Sequence, residues 1–495
     1  MIESATKNGN TNFCHLKINL SKMAPLCGIA LMMLALLAGS GPGHCATLAP
    51  AIYVPDDYPT IQQAINAASA GNSILVRPGT YYETIDFSGK AITIESTHGA
   101  KVTIIDGQMS GSVVTFSRGE DFSTVLEGFT ITNGSGTYIS NWDAYGGCGI
   151  YCEDSSPTIL GNTITQNSHA GYNCVGGGIF TFDSSPRIIG NRIVENTVFW
   201  GGGMSCHGVR SPHSIVVENN FIMGNTAFGV GGGIDGVGTN MIITNNTIVG
   251  NTASETEGGG GISIEDTVAE VDNCIVWNNS FYTGYEIALH SEDSYSIMNI
   301  SHSDVMNKSS SVFEDWDPSW SHFNEGTGMI DADPLFADEA NDDLHITWNS
   351  PCRDSGDNNA ANAVYDMEGD PRVALSTVDM GADEYYYHLY HMGDVVPGAA
   401  LEIKVIGYPT APITLYLGSG IAGQPLVTQH GDFWLVLPPL WAGGIGSIQA
   451  NGVRAFTTAV PTGWAPGSEH PIQALVGPWG GAWTRLTNVD LLVVK

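Results

Sequence analysis

The chain has 495 residues, room for two or three domains, and 42% hydrophobic residues, enough for a large core and too many for wholesale disorder. Lys and Arg total 17 against 50 Asp and Glu, a formal charge of −33 that repels phosphate backbones and excludes nucleic acid as a partner. With 62 Gly beside 18 Tyr and 11 Trp, the composition predicts tight turns between short strands and argues against a helical bundle.

The chain opens on a targeting pattern. Lys17 and Lys22 precede an apolar run from Met23 to Ala38, which gives way to Gly39-Ser40-Gly41-Pro42-Gly43. Residues 1–46 are therefore read as a signal peptide, with a retained membrane anchor as the alternative. Cleavage is expected between Ser40 and Ala49. Beyond it no second long apolar run occurs, so no membrane span is expected after signal removal.

The stretch Pro59–Ala68 predicts the one convincing helix. Thr60 and Gln63 have capping-box spacing, and Ile61, Ala64, Ile65 and Ala68 share a face. From Gly147 onward a phrase recurs: Gly147-Cys148-Gly149-Ile150, Gly176-Gly177-Gly178-Ile179, Gly201-Gly202-Gly203-Met204, Gly231-Gly232-Gly233-Ile234 and Gly259-Gly260-Gly261-Ile262. A second phrase, Asn-x-Ile-x-x-Asn, keeps step with it from Asn162/Ile164/Asn167 through Asn191, Asn220 and Asn246 to Asn273/Ile275/Asn278. Units of 25 to 30 residues holding three short alternating runs cannot bury their own apolar faces and must stack. The prediction is an all-β right-handed parallel β-helix, capped by the helix, with Asn at its corners. Asn tolerates left-handed backbone there, and its amide can bond the next coil.

The runs Tyr53-Val54-Pro55, Thr60-Ile61-Gln62-Gln63-Ala64-Ile65 and Ile74–Glu83 resemble the opening of the pectin-lyase-like superfamily. Ser155-Ser156-Pro157, Ser184-Ser185-Pro186 and the Gly-rich phrases resemble its bacterial secreted β-helix repeat proteins. The resemblance covers about residues 50–385. It implies secretion or a bacterial cell-surface location, a monomer, and polysaccharide as partner. It does not carry chemistry by itself. Residues 331–384 resemble the closing segment of such proteins. Their acids can hold Ca²⁺, a hard cation that takes carboxylates, or can form a capping network with Arg353 and Arg372. Residues 390–495, with short strands between Gly/Pro turns, predict a separate C-terminal β-sandwich.

With Ile150, Ile179, Met204, Ile234 and Ile262 pointing inward, strand alternation places Cys152, Thr181, Cys206, Gly236 and Ile264 inward too. It turns outward the columns Tyr151, Phe180, Ser205, Asp235, Ser263 and Glu153, Phe182, His207, Val237, Glu265. Tyr151, Phe180, Phe182 and Ser205 are thus candidate exposed sugar-binding residues. His207, Asp235 and Arg210 are candidates for acid–base work and contact with acidic sugars. His207 and Asp235, one coil and two residues apart, are expected with Cα atoms roughly 8 Å apart. The superfamily's named chemistries fit poorly: Cys206-His207-Gly208 only echoes the polygalacturonase string, and no Lys occurs between Lys101 and Lys308. Two functions remain in view. One is a polysaccharide-binding or structural, adhesive surface protein. The other is a lyase, epimerase or hydrolase acting on uronic-acid polymers.

Overall fold

The computed structural model describes residues 51–385 apart from 209–213, 255–257, 282–284, 316–318 and 374–376, and beyond them mainly the strands of the C-terminal part. The expected signal peptide 1–46 and Arg210 lie outside the described residues. The chain coils as a right-handed parallel β-helix whose three main sheets count eleven, nine and nine strands among the described residues. One nine-stranded sheet runs through Ile150–Glu153, Ile179–Phe182, Met204–His207, Ile234–Val237 and Ile262–Glu265; we call it the cleft sheet. The other, through Thr163–Thr165, Arg192–Val194, Phe221–Met223 and Thr247–Val249, is the covered sheet.

The helix spans Ile61–Ala67 and buries Ile61, Ala64 and Ile65 against the N-terminal coil. Thr60 Oγ1 accepts from the Gln63 amide, as capping-box spacing predicts. The other early amides, those of Ile61 and Gln62, are taken by the Glu83 carboxylate at 2.9 Å each. Lys90 Nζ donates to the carbonyls of Ile65, Asn66 and Ala68, so both helix ends are satisfied.

The register of the cleft sheet is the one the Gly-rich phrase predicts: Ile150, Ile179, Met204, Ile234 and Ile262 pair in sequence, and all are buried. Cys152, Thr181, Cys206 and Ile264 fill the same interior. The Asn residues form two ladders. Asn167, Asn196, Asn225 and Asn251 each pass an amide hydrogen to the next ladder oxygen at 2.8–3.0 Å, ending at Asn279, which donates to Glu286 at 2.7 Å. Asn162, Asn191 and Asn220 do the same on the other side of the strands at 2.9–3.2 Å, ending at Asn246. Backbone carbonyls take the remaining amide hydrogens, and the ladders pin the register of the coils they join. Glycine is required where the phrase meets the ladder: a Cβ on Gly203 would stand 2.5 Å from the Gly233 carbonyl and 3.1 Å from Asn225 Nδ2.

Two expectations are corrected. The left-handed position is not the ladder Asn but the residue before it, as at Gln166 (φ 55°), Asn219 (φ 57°) and Asn245 (φ 55°). In the fifth copy, Asn273 and Asn278 themselves take that left-handed position. The ladder roles pass to Cys274 and Asn279, and Val276 replaces Ile275 in the core. A one-residue slip sends every side chain to the opposite face, so Ile275 points outward. It is nonetheless buried, because the closing segment packs on it.

That segment lies along the outer face of the covered sheet. Leu344 and Ala382 pack on Phe221, Met223 and Val249; Ile346, Cys352, Met380 and Tyr385 pack on Ile275. The capping network differs from the predicted arginine–acid pairs. Arg372, 1% exposed, donates to the carbonyls of Asp379, Gly381 and Ala382. Arg353 stacks 3.9 Å over the Trp348 ring, with Asp354 no closer than 3.9 Å. The acids bind backbone instead: Asp366 accepts from the amides of Glu368, Asp370 and Glu384, and Asp379 from that of Tyr385.

Among the described residues past 388 the strand pairing is antiparallel. Ala400–Ile406 joins Leu389–Met392 and Val453–Ala459 in one sheet, and Pro412–Leu417 joins Trp441–Ser447, Glu469–Val476 and Arg485–Val493 in another.

Candidate functional site

On the cleft sheet, parallel pairing sets Ser205 beside Asp235, and His207 lies two residues further along the same strand as Ser205. The side chains converge. Ser205 Oγ donates to Asp235 Oδ2 at 2.7 Å and lies 2.9 Å from His207 Nε2, which is itself 3.8 Å from Asp235 Oδ2. A hydroxyl has one hydrogen, and the carboxylate takes it, so Ser205 must accept from His207 Nε2–H. In the neutral imidazole the proton thus sits on Nε2, leaving Nδ1 as the basic nitrogen. This differs from a serine nucleophile, whose hydroxyl must donate to the histidine. Ser205 and Asp235 are buried and orient His207.

The next coil adds Glu265, in the column of His207 with Val237 between them. Burial first, then the negative charges of Glu292, Asp235, Asp266 and Asp293, push its carboxyl up to about 7. His207, Asp235 and Glu265 line one cleft of about 410 Å³, walled by Trp142 and Trp200 with Val175, Val230 and Asn173.

Trp142 belongs to a hairpin inserted into one coil. Thr137–Ile139 pairs antiparallel with Ala144–Gly146, which continues parallel onto Cys174–Val175. The hairpin folds over the cleft sheet, placing the Trp142 ring 4.8 Å from Phe182, 5.8 Å from Phe180 and 5.1 Å from His207. This overturns the expectation of an exposed aromatic column. Phe180 is fully buried, Tyr151 is 4% exposed, and Phe182 is half-buried. Tyr151 donates to Glu153 at 3.0 Å. These rings are the floor under the hairpin, and the aromatic side chains that line the cleft are the two half-buried Trp. Sequence reasoning listed Glu265 in its column but passed over Trp142 and Trp200. The available signals were the long interval between Ile131 and Ile150 and the Trp directly before Gly201.

A second polar group lies under the closing segment. His345, Glu368 and Asp383 bring donor atoms within 4.8 Å of one another, as a metal site would. His345 Nδ1 is 2.6 Å from Asp343 and Nε2 is 2.7 Å from Glu368. Burial alone would lower the imidazole pKa, but Glu368, Asp383 and Asp343 outweigh it and hold the ring well above the ordinary range. Between these carboxylates the ring ties Asp343 to Glu368 across this segment.

Residues 86–253 match the model of a family described as a protein of unknown function, DUF1565. The chain matches no curated protein. Among solved structures it is similar to pectate lyase Pel9A, at 15% identity and a TM-score of 0.34, over 66% of this chain and 90% of that one. A pectin methylesterase in complex with a hexasaccharide aligns at 11% identity and a TM-score of 0.29, over 58% and 91%. The enzymatically active domain of bacteriophage CBA120 tailspike protein 2 aligns at 11% and 0.22, over 87% and 73%. At these identities and scores the likeness reaches no further than fold. No helix among the described residues is long and apolar enough to cross a membrane.

Proposed function

We propose that this protein is a secreted or cell-surface β-helix protein that binds polysaccharide in the cleft between Trp142 and Trp200. The observation that carries the reading is the coincidence of two accessible indoles with His207, Asp235 and Glu265 in one cavity. Sugar rings stack on indoles, and polar groups between them fix orientation. The reading takes residues 1–46 as a signal peptide, residues 390–495 as an independent module, and the protein as a monomer.

A second reading, turnover of the bound glycan, is favoured by one feature. Glu265, its carboxyl pushed up to about 7, holds its proton more tightly than an ordinary carboxyl and stands beside Asp235, which accepts from Ser205. An acid and a carboxylate side by side are what glycosidic cleavage requires, and His207 Nδ1 adds a base. The test is titration of residues 47–495 with a glycan panel, recording heat and product together. Trp142→Ala should weaken binding by ~1 kcal/mol or more. Glu265→Gln should abolish any turnover while binding persists. Binding unchanged by Trp142→Ala would move the site elsewhere.

A further inference from the structure

The sign of the charge in this cleft points to a ligand class. Its described lining contains two carboxylates, Asp235 and Glu265, one imidazole, and neither Lys nor Arg. Behind Glu265 stand Asp266, Glu292 and Asp293. Asp266 accepts from the backbone amides of Glu292, Asp293 and Ser294. Arg187 and Arg192 lie on the other two main sheets, in Arg187–Ile189 and Arg192–Val194. Arg210, beyond His207 in the chain, lies outside the described residues. A uronic-acid polymer laid here would set its carboxylates against Asp235 and Glu265 between low-dielectric Trp walls, where like charges repel most strongly. An ammonium group meets the opposite: the carboxyls of Asp235 and Glu265, whose charged forms it favours, and two indoles in the same cleft, the surroundings that suit cation–π recognition.

Resting on the saccharide reading above, we propose that the cleft takes an amine-bearing saccharide, an oligomer of 2-amino-2-deoxyhexose with free amino groups, in preference to its N-acetylated or uronic-acid counterparts. Asp235 and Glu265 bind the ammonium, and Trp142 and Trp200 bind the ring. The neutral form of the same oligomer keeps the ring contacts and loses the ion pair. The uronate adds repulsion.

The test is calorimetric titration of residues 47–495 with three hexamers: glucosamine, N-acetylglucosamine and galacturonic acid. The glucosamine hexamer should bind about tenfold tighter than the acetylated one in dilute salt, a preference that shrinks in concentrated salt. Galacturonate should bind more weakly than either. Glu265→Gln should remove most of the preference, whereas Glu270→Gln, an exposed acid on the eleven-stranded sheet, should leave it intact. Equal affinity for the two amino-sugar hexamers, or tighter galacturonate binding, overturns the proposal and leaves the saccharide reading standing. An equal loss in Glu270→Gln also overturns it, because the preference would then reflect the net charge of −33 and not the cleft. Absence of binding by all three removes the saccharide reading itself.

Discussion

The two nine-stranded sheets have the same construction and opposite fates. Both bury inward Ile columns, and both turn aromatic or apolar residues outward: Phe221, Met223, Val249 and Ile275 on the covered sheet, Tyr151, Phe180 and Phe182 on the cleft sheet. The covered sheet is roofed along several coils by the closing segment 331–384. Among the described residues, the roof of the cleft sheet is the Trp142 hairpin. Where that small roof ends, the outward column changes from Tyr151 and Phe180 to Ser205, Asp235 and Ser263. The cleft is thus the edge of an incomplete cover. A site arises here where the roof of apolar rings gives way, and the buried Ser205 and Asp235 are accommodated in that column because they hydrogen-bond to each other and to His207.

The sharpest way to break this contrast is Arg372→Met. The buried guanidinium holds three carbonyls, and its loss leaves them unpaired beneath the closing segment. The expected cost is about 3–5 kcal/mol, read as a lower denaturation midpoint with earlier proteolysis inside residues 331–384. Cleft-side properties, including the environment of Trp142, should be retained. Phe180→Ala tests the other roof. Because Phe180 is fully buried under Trp142, the variant should lose about 3 kcal/mol of stability, the cost of a core cavity. An exposed sugar-binding ring would give a variant of normal stability.

Acidity should act on both faces in one direction. Burial above all pushes Asp366 and Asp379 in the closing segment up to about 6, Glu265 up to about 7 and Glu286 at the end of the Asn ladder up to about 8. A carboxyl whose folded pKa is raised binds its proton more tightly in the native state, so stability falls as pH climbs from the unfolded value through the folded one. His345, raised well above its usual range by its carboxylates, contributes stability present in acid and lost as pH rises through its folded pKa. The melting temperature should therefore be higher near pH 5–6 than near pH 8. A protein most stable at pH 8 would show that these groups are not buried as described.

How much of this was legible in the sequence depends on the range of the interaction. The coils, their register and the Asn167–Asn251 column follow from local periodicity, and the structure agrees with them. The Asn273/Asn278 copy misled because its spacing is intact while the roles shift by one residue. The pairing of Val276 with Ile248 and the ladder bonds of Cys274 and Asn279 reveal the slip. His207 and Asp235 could be placed together because coil rise and strand rise suffice to locate them. Their bridge through Ser205 follows from the same register. The burial of Tyr151 and Phe180 was not legible, since it depends on a hairpin inserted outside the repeat. The partners of Arg372 were equally hidden, because backbone carbonyls leave no trace in residue type.

The finest distinction concerns the oriented imidazole, for which Ser205→Ala is the probe. Removing one hydroxyl from a buried, hydrogen-bonded position should cost only ~1 kcal/mol, less than either roof variant. Its informative effect is on the tautomer. In the parent protein Ser205 gives its hydrogen to Asp235 and takes one from His207, so proton–nitrogen correlation spectra of the neutral ring should show hydrogen on Nε2. In the variant, Nε2 is 3.8 Å from Asp235 with nothing between them, and Asp235 lacks its donor. Two responses are open to it. The ring can shift to donate directly, keeping the Nε2 tautomer and moving away from Trp142, or it can lose its fixed tautomer and show exchange between both nitrogens. Either response places Ser205 as the group that positions His207 over the cleft. A ring that keeps one tautomer and an unchanged Trp142 environment would show that the hairpin alone holds the imidazole, and that the Ser205–Asp235 pair belongs to the packing of the sheet.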